Sequence, residues 1–367
     1  MELLRLTLTD FRNYTRANWT PSHPITVFTG PNGAGKTNLL EAVSLLSPGR
    51  GLRGSPLPQL CRTHAQEWGI AAILSGSHNE QIRIGTGAKQ SEQRRNFHID
   101  GRPVRSQTAI APYFSCVWLT PQMDRLFQEG ASGRRRFLDR LVIALTPDHA
   151  REITAHDRSV SSRNRVLQEQ PHADLWLNAI EDSIARHATA ATASRLALIE
   201  HMNAQSNSHT AFPECYLGLD CRIAQHLKIA PALKVEETLR AQLKASRITD
   251  REQRLTSHGA HRADLLLSDK ATARPAHLSS SGQQRALLTG IILAHADLIA
   301  SLRGQAPALL LDEPLVHLDE IRRNALLETL KHRQSLVLMT GTDHHSFGPL
   351  HDHAAFLSVK DGLVLPS

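Results

Sequence analysis

Gly30, Gly35, Lys36 and Thr37 stand in the order G-x-x-x-x-G-K-T within GPNGAGKT (Gly30–Thr37). Glycines at this spacing let successive backbone N–H groups turn toward phosphate oxygens. The lysine neutralises the outer phosphates, and the hydroxyl after it reaches the accompanying magnesium ion. The expected ATP cradle is Gly30, Pro31, Asn32, Gly33, Ala34, Gly35, Lys36, Thr37 and Asn38. Its surroundings suit the chemistry. Ile25, Val27 and Phe28 read as a strand before it, and Leu39, Val43 and Leu46 share one face of a helix after it. The start of that helix adds a positive dipole end.

A second set lies far downstream. Ala308–Leu311 is a short apolar run suited to a buried parallel strand, and Asp312 and Glu313 stand at its C-terminal end, where open α/β sheets bind ligands. Asp312 is expected to hold Mg²⁺ through water beside Thr37, and Glu313 to polarise the attacking water, with Lys36 as the other catalytic group. Pro314 ends the strand, and Leu318-Asp319 follows. Between the two sets, SSSGQQR (Ser279–Arg285) precedes apolar pairs at helical spacing: Leu287/Leu288, Ile291/Ile292 and Leu298/Ile299. Ser280, Gly282 and Gln283 therefore sit at a helix N-terminus, an anion site that also reads as a plain serine-rich cap.

The order of these three motifs resembles ABC-type ATPases. A transporter ATPase is more compact between them, and an SMC protein inserts a far longer coiled coil. The intermediate insertion is similar to the RecF family, as are LTLTDFRNY (Leu6–Tyr14), GPNGAGKTNLLEAV through Val43, GRRRFLD (Gly133–Asp139) and GAHRADLLL (Gly259–Leu267). The resemblance implies that Arg12 approaches the nucleotide phosphates. It also gives Thr120-Pro121-Gln122 the look of a Q-loop whose glutamine senses Mg²⁺, although an ordinary strand-ending turn fits the same residues. Some positions depart from the pattern. Ser281 replaces the usual Gly or Gln, and Glu313 stands where the family often has Asp. Thr340, Gly341, Thr342 and Asp343 follow the strand Ser335–Met339, where a transporter ATPase places a switch histidine. Slow hydrolysis is expected, and His344 is given no phosphate-sensing role.

The fold implied is α/β: an ABC-type P-loop ATPase head with a mixed sheet, formed by 1–122 and 276–367, and an inserted mainly helical lobe over 123–275. Residues 148–169 and 173–205 read as a short antiparallel helical arm, with Leu175, Ala179 or Ile180, Ile184, Ala188, Leu196 and Ile199 on one stripe. Ile70–Leu74, Gln81–Thr86 and Phe97–Val104 read as strands, the last turning at Asp100-Gly101. Tyr216–Ile223 alternates as a strand, Arg134–Leu145 and Val235–Ala245 read as helices, and the chain closes on a Lys360-Asp361-Gly362 turn.

The 367 residues carry a net charge of +7, from 42 basic and 35 acidic side chains, and only 4% are aromatic. A base-stacking platform for single strands is therefore not expected; contact of arginine and lysine with duplex phosphates is. Candidates are Arg50 and Arg53 after the first helix and the triplet Arg134, Arg135 and Arg136. The triplet sits at a helix start that is unfavourable for cations, so it needs either DNA or internal carboxylates. Arg158, Arg163 and Arg165 read as a solvated face of the arm. The four cysteines make no C-x-x-C pair and suggest neither zinc nor a disulfide framework, with Cys215–Cys221 across a hairpin the one conceivable bridge. The alternation of Leu4, Leu6 and Leu8 begins without a signal peptide, and no apolar run has spanning length. No membrane and a cytoplasmic location are therefore expected.

The resemblance further implies a weak, DNA-dependent ATPase that uses hydrolysis as a switch. ATP held by one copy would meet Ser280 and Gly282 of another, giving an ATP-dependent homodimer on double-stranded or gapped DNA. RecR, with RecO, would be the direct partner, and RecA loading onto SSB-coated strands the purpose. A transporter-coupling ATPase would need a compact helical lobe, and a structural tether a long heptad arm; the sequence has neither. A DNA-binding scaffold with a purely structural ATP site stays open.

Overall fold

The structure, a computed structural model, describes residues 2–76, 80–205, 209, 211–360 and 362–366. The chain begins with β1 (Glu2–Phe11), β2 (Tyr14–Trp19), β3 (Ile25–Thr29), α1 (Lys36–Leu45), α2 (Leu57–Leu60), β4 (Glu67–Ser75), β5 (Gln81–Lys89), β6 (Asn96–Ile99), β7 (Arg102–Val104) and β8 (Cys116–Leu119). A helix-rich stretch follows: α3 (Ala131–Leu145), α4 (His149–Glu169), α5 (Asp174–Ala204), β9 (Cys215–Asp220), α6 (Arg222–Leu227), α7 (Ala232–Ala245), α8 (Arg247–Gln253) and β10 (Asp264–Asp269). The chain closes with α9 (Ser281–Arg303), β11 (Ala308–Leu311), α10 (Glu320–Lys331), β12 (Val337–Thr340), β13 (Ala355–Lys360) and β14 (Leu363–Pro366). Two compact units result. One contains Met1–Asp124, Ser206–Glu214 and Ser279–Ser367, and the other Arg125–Gln205 and Cys215–Leu278.

The first unit holds two six-stranded sheets. One is antiparallel, in the order β2-β1-β4-β5-β6-β7. The other runs β14-β13-β3-β12-β11-β8, parallel throughout except for the antiparallel edge strand β14. β3, β11 and β12 are buried at every position, which is why β11 reads as an unbroken apolar run and the other two as apolar runs interrupted only by threonine. β1 does alternate, but its pairing with β4 shifts between Leu3 and Arg5. That irregularity buries Leu3 with Leu6 and Leu8 and turns Leu4 partly outward, against the expected Leu4-Leu6-Leu8 face. The β6–β7 turn forms at Asp100 and Gly101, both at positive φ, as a tight hairpin requires. The turn expected before β14 includes Asp361, which lies outside the described residues. α9 has the length and apolar content to cross a bilayer, more than the sequence reading allowed, yet 72% of its most apolar window is buried inside the protein. Most of its apolar residues are core, Leu302 near its end being exposed.

The second unit packs α5 and α4 as an antiparallel pair. Ser159 faces Ser183, Arg163 faces Glu181, and Glu152 faces His187. Leu177, Ile180, Ile184, Ala188 and Ala191 form the buried stripe of α5 with Val166 and Leu167 of α4. Leu175, expected on that stripe, is 88% exposed; the apolar face begins at Leu177. Arg163, expected on a solvated face, is completely buried. It bonds to Glu181, Asp250, Thr256 Oγ1 and the Leu243 carbonyl, which answers the cost of removing its charge from water. β9 stops at Asp220, and Ile223 belongs to α6, so the expected strand through Ile223 is shorter. Cys215 opens β9 and Cys221 follows its end, so the two do not face each other across a hairpin, and no disulfide joins the cysteines.

Candidate nucleotide site

β3, β12 and β11 are neighbours in the parallel sheet, so their C-terminal ends bring three loops together. The loop after β3 is the glycine-rich cradle. α1 follows it, with Gly35 as its N-cap at φ 111°. A side chain at Gly35 would both strain this left-handed backbone and run into Asn13 and the Tyr14 hydroxyl. Those two residues hold the loop from outside. The Asn13 amide donates to the Ala34 carbonyl at 3.1 Å, and Tyr14 OH donates to the Gly35 carbonyl at 3.0 Å. Lys36 Nζ donates to the carbonyls of Gly30 (2.6 Å) and Pro31 (3.0 Å), so it lies along the cradle's inner edge. Burial pushes its pKa down, and the charges of Glu313 and Asp312 oppose that shift.

Asp312 lies beyond β11 and is 3% exposed. Its Oδ1 accepts from Thr37 Oγ1 and from Thr340 Oγ1, both at 2.8 Å. Glu313 follows at φ 47°, a left-handed conformation costing a β-carbon-bearing residue roughly 1–2 kcal/mol. Its backbone N–H donates to Thr340 Oγ1 (2.9 Å), and its carbonyl accepts from Arg285 Nη2 (3.0 Å). Thr37 and Asp312 supply hard oxygen donors 2.8 Å apart, which suits Mg²⁺. Among the described residues no cluster of three or more His, Cys, Asp or Glu offers a protein-only cage. The two protein oxygens of Thr37 and Asp312 would leave the rest of an octahedral shell to phosphate and water.

Ser280 is the N-cap of α9, and its side chain and that of Gln283 close a reciprocal capping box. Ser280, Ser281 and Gln283 are exposed, so the cap has both readings that the sequence left open. Arg285, one helical turn on, is 1% exposed. It reaches the Thr120 carbonyl and Asp124 as well as Glu313. Gln122 lies in a single-turn 3₁₀ segment after β8 with its side chain exposed.

Several arginines have partners that the sequence did not reveal. Arg12 lies against α1, where its guanidinium bonds both oxygens of the buried Glu41, Ser55 and the Gln59 carbonyl. Those bonds hold it beside the first helix, which begins in the cradle. Arg53 joins the same carboxylate and Asn38. Arg134 makes a two-pronged pair with Asp264, and Arg135 donates to the Ala263 carbonyl. Because α3 starts at Ala131, the triplet falls in its second turn, away from the most unfavourable position. Arg136, only 3.8 Å from Glu129 at its nearest, and Arg50 are exposed. Thr340, Arg285, Asn13, Tyr14 and Glu41 are the site residues the sequence reading left without a role. Arg285 had a usable signal, a cation just ahead of the apolar runs Ala286–Leu288 and Ile291–Leu293.

A model of the RecF/RecN/SMC N-terminal domain matches residues 2–355. Across 99% of its length the chain is 41% identical to the DNA replication and repair protein RecF of Mesorhizobium japonicum, covering 97% of that protein. The chain belongs to the RecF family. RecF of Rhizobium rhizogenes is also 41% identical, with 99% of this chain and 98% of that one aligned. A solved structure of the recombination mediator protein RecF with ATPrS, in the RecFOR pathway, has a TM-score of 0.86 at 22% identity, over 100% of this chain and 98% of that one. The SMC head of Pyrococcus furiosus, with an extended coiled coil and bound to the C-terminal domain of ScpA, gives 0.53 at 14% identity, over 100% and 95%. The RecF-type fold is thus an ATPase head of the ABC/SMC class with a mixed sheet and a helix-rich second unit that carries the α4–α5 arm.

Proposed function

We propose that this chain is an ATP-dependent DNA-binding protein of recombinational repair and replication, working with ATP and Mg²⁺. The observation that carries the reading is the convergence of the Thr37 and Thr340 hydroxyls on Asp312, beside the glycine cradle and next to Glu313. A magnesium ion bound there supplies charge neutralisation for the β and γ phosphates. The chain's own groups do the rest. Phosphate oxygens compete with the carbonyls of Gly30 and Pro31 for the Lys36 ammonium, which then follows the nucleotide. Glu313 polarises the water that attacks.

The exposed Ser280–Gln283 cap supports the second half of the proposal. One cradle is half a site, and the cap of a second copy completes it over the γ-phosphate, so ATP favours a dimer by binding that state more tightly. The dimer presents basic side chains to duplex or gapped DNA, and slow hydrolysis, stimulated by DNA, releases it. The names of the relatives, a DNA replication and repair protein and a recombination mediator in the RecFOR pathway, support work alongside RecR and RecO; the proposal extends this to a cytoplasmic mediator that helps RecA onto gaps coated by SSB.

The test is binding to a gapped duplex at one fixed salt, with and without ATP, while dimer content is followed in the same samples. ATP is expected to raise both quantities, and Ser280→Arg to abolish both gains while ATP binding persists. ATP binding with no change in either quantity would overturn the gated clamp and favour a scaffold with a structural nucleotide.

A further inference from the structure

β12 is completely buried and, apart from its last residue, apolar: Val337, Leu338 and Met339 are followed by Thr340, 0% exposed. A hydroxyl at such a position is unfavourable unless it is fully bonded. Thr340 Oγ1 is bonded in both senses. It donates to Asp312 Oδ1 at 2.8 Å and accepts from the Glu313 backbone N–H at 2.9 Å. One atom therefore ties the carboxylate that meets Thr37 to the peptide that sets the position of Glu313. The tie matters because Glu313 is left-handed, at φ 47°, and relaxes toward ordinary backbone unless something holds it. Its carbonyl is fixed separately by Arg285. The next residue offers no alternative. A β-carbon on Gly341 would meet the Phe347 ring, so this position has no room for a side chain that could take over the task.

Resting on the ATPase reading above, we infer that Thr340 is a positioning residue for hydrolysis, locking the strained Glu313 backbone in register with Asp312 and Thr37. Its contribution belongs to the hydrolytic step and not to nucleotide capture, because it touches the acidic pair and not the cradle. Thr340→Val keeps the shape of the side chain and removes both bonds. Thr340→Ser keeps both bonds and removes one methyl group.

The experiment measures ATP affinity with a fluorescent analogue, steady-state and single-turnover hydrolysis with Mg²⁺, and thermal unfolding, for the full chain and both variants. Thr340→Val is expected to bind ATP within about threefold of the parent while kcat falls on the order of tenfold to a hundredfold. Thr340→Ser is expected to recover most of the rate. An unchanged kcat in Thr340→Val overturns the inference. So does a Thr340→Ser variant as slow as Thr340→Val, or a loss of affinity and melting temperature that matches the loss of rate; either would make Thr340 a packing residue. A parent chain that binds ATP but never hydrolyses it would instead overturn the ATPase reading on which the inference rests.

Discussion

At the scale of single residues, the chemistry is concentrated on one carboxyl oxygen and one strained peptide. Asp312 Oδ1 gathers the hydroxyls of Thr37 and Thr340, and Glu313 hangs from the same network by its N–H. This division predicts different outcomes for neighbouring acids. Glu313→Gln keeps the shape and the backbone anchors but removes the carboxylate proposed to polarise the attacking water. It is expected to bind ATP normally, accumulate the ATP-bound dimer and lose at least a hundredfold in kcat, roughly the share general-base catalysis supplies. Filter binding alongside single-turnover hydrolysis separates the two quantities. Hydrolysis near the parent rate would mean that Glu313 is not the base. The acid pair and the cradle were legible in the sequence because both are contiguous motifs. Thr340 was not, since its partners follow another strand, β11, and only the sheet order β3-β12-β11 brings them into reach.

At the scale of elements, periodicity revealed what repeats and missed what folds back. The buried strands β3, β11 and β12 and both arm helices follow from their apolar patterns. The shift in β1, the exposure of Leu175 and the burial of Arg163 depend on contacts distant in sequence. Arg163 is the instructive case, since an arginine between Arg158 and Arg165 on a helix reads as solvated until Asp250, on α8, is known to face it. The ion network ties α4, α5 and α8 together, and its loss has a calculable direction. Arg163→Met leaves Glu181 and Asp250 buried without their shared cation. Breaking such a pair from one side costs about 3–5 kcal/mol. Arg247 still bonds Glu181, and Ser246 and the Ser257 N–H still bond Asp250, so a loss near the lower end, about 3 kcal/mol, is expected in denaturant unfolding. A change under about 0.5 kcal/mol would show that the network holds no net stability.

At the scale of the whole molecule, the proposed contact with DNA needs basic side chains that are not already engaged, and the internal pairing of the arginines narrows the choice. The sequence offered five candidates, with internal carboxylates as the alternative partner for the triplet Arg134, Arg135 and Arg136. Arg53, Arg134 and Arg135 already have partners inside the protein, and moving them to phosphate would break those bonds. Arg50 and Arg136 are exposed, and the nearest acid to Arg136, Glu129, is itself half open to water at 3.8 Å. Surface pairs of that kind hold little energy and yield readily to a phosphate. The double variant Arg50→Ala/Arg136→Ala is therefore expected to weaken ATP-dependent binding to gapped duplex at every sequence tested. Its plot of log affinity against log salt should be shallower by about 0.9 for each phosphate that the protein no longer neutralises. Arg134→Ala should leave that slope unchanged and lower the melting temperature, because the residue it abandons is Asp264 and not DNA. The opposite pattern, a slope that falls with Arg134→Ala and holds in the double variant, would place the DNA on the α3 face through Arg134. It would also require the Asp264 pair to open when DNA binds.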